Sequence, residues 1–190
     1  MLKHHDIRPA TPENRPSGRR PGQQGITLVE LLVAIAIIGI LSAVATPSWH
    51  QIMQNIRLKS DALSLLAHMQ WAKSEAARRS SCIGITFNTS TFPTPGGEYV
   101  LFLDNGAGQC NHTLDTDETI LRKVTVDQGV SLTSAAIGSA AALCITANAV
   151  TCGSQQGNVQ LRNSGQWYRL TISASAGLRL NRSLDGSKWL

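Results

Sequence analysis

From Ile26 to Ala45 the chain runs for twenty residues with only Thr27, Glu30 and Ser42 as polar interruptions. About 20 apolar residues are what a helix needs to cross the hydrocarbon core of a bilayer. This run predicts a transmembrane helix over 26–46. A carboxylate near its start is costly, roughly 2.5–3.5 kcal/mol on insertion scales, so Glu30 demands a reason. Residues 1–25 carry five basic side chains against two acidic ones, a net +3 of the chain's +5. A basic flank stays on the cytoplasmic side of a span. The chain is therefore expected to cross once, with its N-terminus cytoplasmic and its head periplasmic.

Before the span, residues 1–25 form a basic leader with four prolines and few apolar groups, a composition expected to stay disordered. After it, Pro47 lacks a backbone donor and is expected to kink or interrupt a helix. The helical pattern resumes over 47–80, where Leu58, Ala62, Leu65, Leu66, Met69, Ala72 and Ala76 recur at spacings of three and four. Helix is expected to about Arg79. From 81 to 190 the texture changes to short β-rich runs, at 83–87, 99–104, 120–126, 130–132 and 167–172, separated by turn signals. These spacings predict antiparallel hairpins, with one sheet packed on the second half of the helix. The fold class is α+β, a long N-terminal helix on an antiparallel β head. The small-residue stretch at 134–142 reads as a loop.

Cys82, Cys110, Cys144 and Cys152 all follow the span, in what should be an oxidising compartment, and four cysteines allow three pairings. A local clip Cys144–Cys152 across a turn is favoured, which leaves Cys82 with Cys110. No cysteine or histidine pair stands at zinc-ligand spacing, and Asp104, Asn105, Asp115, Asp117 and Glu118 lack calcium-loop spacing, so no metal is expected. The five histidines stand beside no nucleophile motif, and no phosphate-binding glycine loop occurs. Neither an enzyme nor a cofactor is expected. Trp49 stands where interfacial tryptophans anchor a span. Trp71 and Trp167 read as packing residues.

Three readings compete for the opening stretch. A secretory signal peptide would be cut after the small residues at 43–45, but its apolar core would be too long and would contain an acid. A plain membrane anchor explains the length and not Glu30. The third reading is a resemblance. "GITLVELLVAIAIIGILSAVATP" at 25–47 resembles the class III signal of type IV pilins and type II secretion pseudopilins.

That resemblance implies cleavage after Gly25 by an inner-membrane prepilin peptidase and methylation of the new N-terminus at Ile26, where phenylalanine is usual. Glu30 is then the fifth mature residue and a key for assembly, and Pro47 falls where the family commonly has proline. A neighbouring subunit's freed amine would neutralise the Glu30 carboxylate. The body resembles the GspH/FimT group of minor pseudopilins through "AKSEAARRSSCIGITF" at 72–87, "YVLFLDNGAG" at 99–108, "LDTDETILRKV" at 114–124 and "WYRLTISASAGLRL" at 167–180.

The likeness implies a β-sandwich-like or two-sheet head and a role in assembling a type IV pilus or a type II secretion pseudopilus. Its implied partners are the prepilin peptidase/N-methyltransferase, other pilins or pseudopilins, the inner-membrane assembly platform and membrane lipid. Some members of the FimT branch bind DNA through a Gly-Arg-x-Arg motif near the C-terminus. Here Leu178 replaces its first arginine, and Arg179, Arg182 and Lys188 remain as candidate DNA contacts. From Asn158 to Leu190 five basic residues face one acid, a balance suited to salt-sensitive phosphate contacts.

The cleavage readings separate on one measurement. Mass spectrometry of the mature protein is expected to find its N-terminus at methylated Ile26, whereas cleavage after Ala45 would restore the signal-peptide reading.

Overall fold

The computed structural model describes residues 25–106 and 110–190, the side chains of 44–48 excepted. The leader up to residue 24 lies outside the described residues. One helix, α1 (Leu28–Arg79), precedes eight strands: β1 (Cys82–Asn88), β2 (Glu98–Asp104), β3 (Thr119–Thr125), β4 (Ser131–Ile137), β5 (Ala142–Ile145), β6 (Gly157–Arg162), β7 (Trp167–Ile172) and β8 (Leu178–Ser183). The chain divides into two compact units, one ending at Ala43 and one spanning Val44–Leu190.

In the first unit the apolar side chains of α1 point outward, with Ile26, Leu28, Val29 and Ile40 among the exposed ones. Among the described residues no helix is long and apolar enough to cross a membrane. The expected span 26–46 runs into positions 44–46, whose side chains are not described. The helix is not interrupted at Pro47; α1 is one element that includes it.

The second unit is built on the far half of α1. Leu58, Ala62, Leu65, Met69, Ala72 and Ala76 are fully buried, and Leu66 is partly so. Their alternating spacing of four and three keeps one face of the helix turned to the core over five turns. That face forms one buried cluster with apolar side chains from two sheets: Ile83, Ile85, Tyr99, Leu101 and Ile145 of one, and Leu132, Val159, Leu161, Leu170 and Ile172 of the other. The helix ends in a Schellman motif. Ser80 sits at φ 51°, its N–H donates to the Ala77 carbonyl at 3.3 Å, and Ser81 N–H donates to the Ala76 carbonyl at 3.2 Å. The chain thereby turns sharply and starts β1 two residues later.

The head holds two four-stranded sheets, in order β3-β2-β1-β5 and β4-β6-β7-β8, with every neighbouring pair antiparallel. This corrects the single sheet expected from strand texture. The stretch 134–142 is also corrected: Ser134–Ile137 completes β4, and Ala142 opens β5. There the chain leaves one sheet for the other. Serine and alanine favour strands weakly, so the cross-strand partners Val159 and Gln160 on β6 decide the conformation. Strands β5, β6 and β8 also had no expected run of their own.

Polar groups then pin the helix to the head. Asn163 Nδ2 donates to Asn55 Oδ1 at 2.8 Å, Lys73 Nζ to the Ala176 carbonyl at 2.8 Å, and Asp127 N–H to Asp61 Oδ2 at 2.9 Å. Burial nevertheless leaves the Asp61 carboxyl above its ordinary value. At the helix end, hydrogen bonds from Arg78 and Arg79 hold the buried Glu75 carboxyl down to about 2.

His68 makes the most informative pin. Its Nε2 lies 2.8 Å from Arg122 Nη1, and its Nδ1 lies 2.7 Å from Tyr99 Oη. A guanidinium has no acceptor, so Nε2 accepts and the ring proton sits on Nδ1, donated to Tyr99. Burial, and then the Arg122 charge, lower the histidine pKa from its ordinary 6.5. In the interval below 6.5 the unfolded chain therefore binds more protons than the folded one. The stability from this pin is full above 6.5 and is lost as pH falls through the folded value. Urea midpoints of the chain are expected to be flat from pH 8 to 7 and to drop below 6.5. His68→Gln should flatten that drop, and an unchanged slope would refute the assignment.

Candidate functional site

The N-terminal feature is set by chemistry at the start of α1. Thr27 caps the helix, its Oγ1 accepting the Glu30 N–H at 3.2 Å. Thr27-Leu28-Val29-Glu30 is a capping-box spacing, a sequence signal that the reading of Glu30 as an assembly residue passed over. Glu30 thus lies in the first turn, where a negative charge complements the helix dipole. Its side chain is exposed, and among the described residues no cation or donor meets its carboxylate. Gly25 and Ile26 precede the helix outside regular secondary structure and are exposed.

A second feature is a sulfur corner at the end of the first sheet. Cys82 is joined to Cys110 and Cys144 to Cys152, with Cα separations of 5.5 and 5.2 Å. The four sulfurs lie within 4.8 Å of one another. The corner is buried except at Cys110, beside a hollow of about 250 Å³ that Ser80, Ser81 and Asn148 also line. Asp104, buried opposite Cys82, accepts the Cys110 N–H at 2.8 Å and the His112 N–H at 2.9 Å. Glu118 Oε2 accepts the Asp115 N–H at 2.9 Å. Two of the carboxylates weighed as calcium ligands are therefore spent on ordering the loop before β3.

The third feature lies on β6, β7 and β8. The Arg162 guanidinium stacks between the Phe92 and Trp167 rings, 3.6 and 4.0 Å from their centroids. That of Arg169 stacks 3.7 Å from the Trp189 ring. Trp189 is brought there because the chain end folds back along β8, the Arg182 and Leu190 main chains exchanging two hydrogen bonds. Both arginines belong to the basic excess from Asn158 to Leu190 but not to the candidate DNA contacts Arg179, Arg182 and Lys188, and each occupies an outward position of an alternating strand.

Two family models match the chain. The prokaryotic N-terminal methylation motif covers residues 20–46, and type II transport protein GspH covers residues 61–177. The chain belongs to the GspH family. Membership makes it a structural subunit of pilin type and not an enzyme, and the methylation motif marks it for prepilin processing.

Among relatives, the pilin-like protein PilA1 of Thermus thermophilus is 34% identical over 87 residues, 46% of this chain and 52% of that protein. The chain thus spans about half the length of that relative. The type IV major alpha-pilin of Moraxella bovis is 32% identical over 131 residues, covering 57% of this chain and 82% of the pilin. Two solved structures are similar. The type IV minor pilin FimU of Pseudomonas aeruginosa has 20% identity and a TM-score of 0.47 over 70% of this chain and 92% of its own. The minor pseudopilin EpsH of the Vibrio cholerae type 2 secretion system has 14% identity and a TM-score of 0.45 over 65% and 95%.

In this GspH-family chain the three residues grouped as DNA contacts do not share one surface. Arg179 pairs with Thr171 on the outer face of β8 and is exposed. Arg182 pairs with Tyr168, and with Ile52, Asn55 and Lys59 it lines a groove against the helix. Residues three apart on a strand point to opposite faces. Lys188 lies in the turn that Asp185 organises by accepting from Ser183, Ser187 and Lys188. Those bonds hold the Asp185 carboxyl far below its ordinary value.

Removing the Cys82–Cys110 bond by paired Cys→Ser substitution is expected to cost about 2–4 kcal/mol. It should open residues 105–118 to proteolysis while the helix core stays protected. Equal protection of that loop in both forms would show that Asp104 alone holds it.

Proposed function

We propose that this GspH-family chain is a minor pilin or pseudopilin that assembles into a type IV pilus or a type II secretion pseudopilus through helix packing keyed by Glu30. The observation that carries the reading is a methylation motif over residues 20–46 and a GspH head over 61–177 in one chain. The outward apolar side chains of the first unit suit lipid or neighbouring helices, and little else stabilises such a surface. Processing after Gly25 frees the amine of Ile26 for methylation. Glu30, without a partner of its own among the described residues, then takes a neighbour's N-terminal amine, and that pairing sets the axial offset between subunits. The peptidase/N-methyltransferase, the assembly platform and the inner-membrane lipid are the partners this role requires, with the head on the periplasmic side.

A second reading is DNA retention during uptake by Arg179, Arg182 and Lys188. It is supported by the five-to-one excess of basic residues from Asn158 to Leu190. The separation of Arg179 from Arg182 weighs against it.

Glu30→Ala is expected to be cleaved after Gly25 as the wild type is, yet to be at least about tenfold depleted from sheared or purified filaments, as loss of an intersubunit charge pair would cause. Wild-type incorporation of that variant would remove the keying role, and loss of cleavage would move Glu30 to the peptidase step.

A further inference from the structure

The outer face of the second sheet carries an arrangement that helix packing does not use. Cross-strand pairing places Arg162 opposite Trp167, Gln160 opposite Arg169 and Asn181 opposite Arg169 from the other side, and Thr171 opposite Arg179. Partners directly opposite share a face, as do residues two apart on one strand. Arg162, Arg169 and Arg179 therefore lie on one face along a diagonal that crosses β6, β7 and β8. Diagonal neighbours on antiparallel strands stand about 7–8 Å apart. None of the four strands of this sheet contains an acidic residue. Asp185, just past β8, has its carboxylate filled by the hydrogen bonds of its own turn.

The three guanidiniums are unneutralised. Among the described residues the ion pairs are those of Glu75 with Arg78 and Arg79 and of Glu98 with Lys123. Arg162 Nε and Arg169 Nε are shut away from solvent without a hydrogen-bond partner. Stacking on Phe92, Trp167 and Trp189 fixes these two side chains as flat forks, which leaves recognition to their in-plane N–H groups. Such edges select carboxylates and other oxyanions. The rings are already occupied: Trp167 meets Arg162 and also Gly186, where a Cβ would lie 3.0 Å from the ring, and Trp189 meets Arg169. A ligand that needs free aromatic faces, such as the bases of a single strand, is poorly served.

The same chain offers a complementary surface. The turn Asp115–Glu118 carries three carboxylates and no base, and Asp115 and Asp117 are exposed. We propose that the arginine diagonal of one head receives the acidic turn of a second copy. The two surfaces differ, so the contact is heterologous and leaves one of each kind free on every pair. It can repeat along an assembly. This goes beyond helix packing and rests on the proposed assembly role only in taking a like subunit as the neighbour.

The test uses the full chain in detergent micelles, with capture of one tagged copy by another at about 0.05 M and about 0.5 M salt, since screening shortens the reach of exposed charges over that range. Wild-type capture is expected to fall roughly tenfold at the higher salt. D115K/D117K and R169E/R179E should each lose capture with themselves and regain it when mixed, because the unaltered arginine face of the first then meets the unaltered acidic turn of the second. D115K/D117K alters only an exposed turn and is also mixed with wild type, whose acidic turn its unaltered arginine face should capture, so a folding defect in R169E/R179E leaves the test intact. Salt-insensitive wild-type capture, self-capture unchanged in either variant, or no regain on mixing would overturn the contact. So would loss of oligonucleotide retention in R169E/R179E with self-capture unchanged, which would assign the face to nucleic acid. Because the readout is capture in solution, its failure leaves Glu30 keying in place, and failure of Glu30 keying leaves this contact in place.

Discussion

One apolar stripe on the second half of α1 serves as the core of both sheets. Leu58, Leu65 and Met69 share one buried cluster with side chains of both sheets. Burying one such side chain contributes about 1.5–3 kcal/mol, and the stripe supplies several in succession. The polar pins at Asn55, Asp61, His68 and Lys73 flank that stripe and fix which strand meets which turn of the helix. Directional bonds placed beside a greasy seam set its register, as non-directional burial alone cannot.

Because the helix consumes the inner faces of the sheets, function is left to what the core does not need. At one end of the first sheet lies the sulfur corner, where Asp104 and the Cys82–Cys110 cross-link hold the loop before β3. The outer face of the second sheet stays open and basic, its arginines flattened against aromatic rings. Toward the N-terminus Glu30 meets no counterpart among the described residues. Both features have the same character: charges that a single chain leaves without a counterpart, suited to a second subunit.

Legibility tracked how local the determining physics is. The stripe from Leu58 to Ala76 was readable because a helix repeats its face every three or four residues within one segment. The stretch around Gly25, Ile26 and Glu30 was legible through its resemblance to a class III signal, a contiguous motif, and the methylation motif matches over residues 20–46. Strands β5, β6 and β8 were not, because short runs such as Ala142–Ile145 and Leu178–Ser183 owe their conformation to distant partners. The stretch 134–142 misled most, since its alanines and serines say little alone and a great deal when paired with β6. The capping role of Thr27 is also local, since Thr27 and Glu30 stand at capping-box spacing within one turn.

By itself, the sequence determined a basic N-terminal stretch, an apolar helical segment with one acid, an amphipathic continuation and a β-rich head with four cysteines. Each of those follows from periodicity or composition within a single stretch of chain. Only the tertiary structure decided that the head has two sheets, that the sulfurs gather at one corner, that Arg179 and Arg182 part to opposite faces, and that Arg162, Arg169 and Arg179 align. Those facts depend on strand register between segments far apart in sequence, where a shift of one residue turns every side chain to the other face.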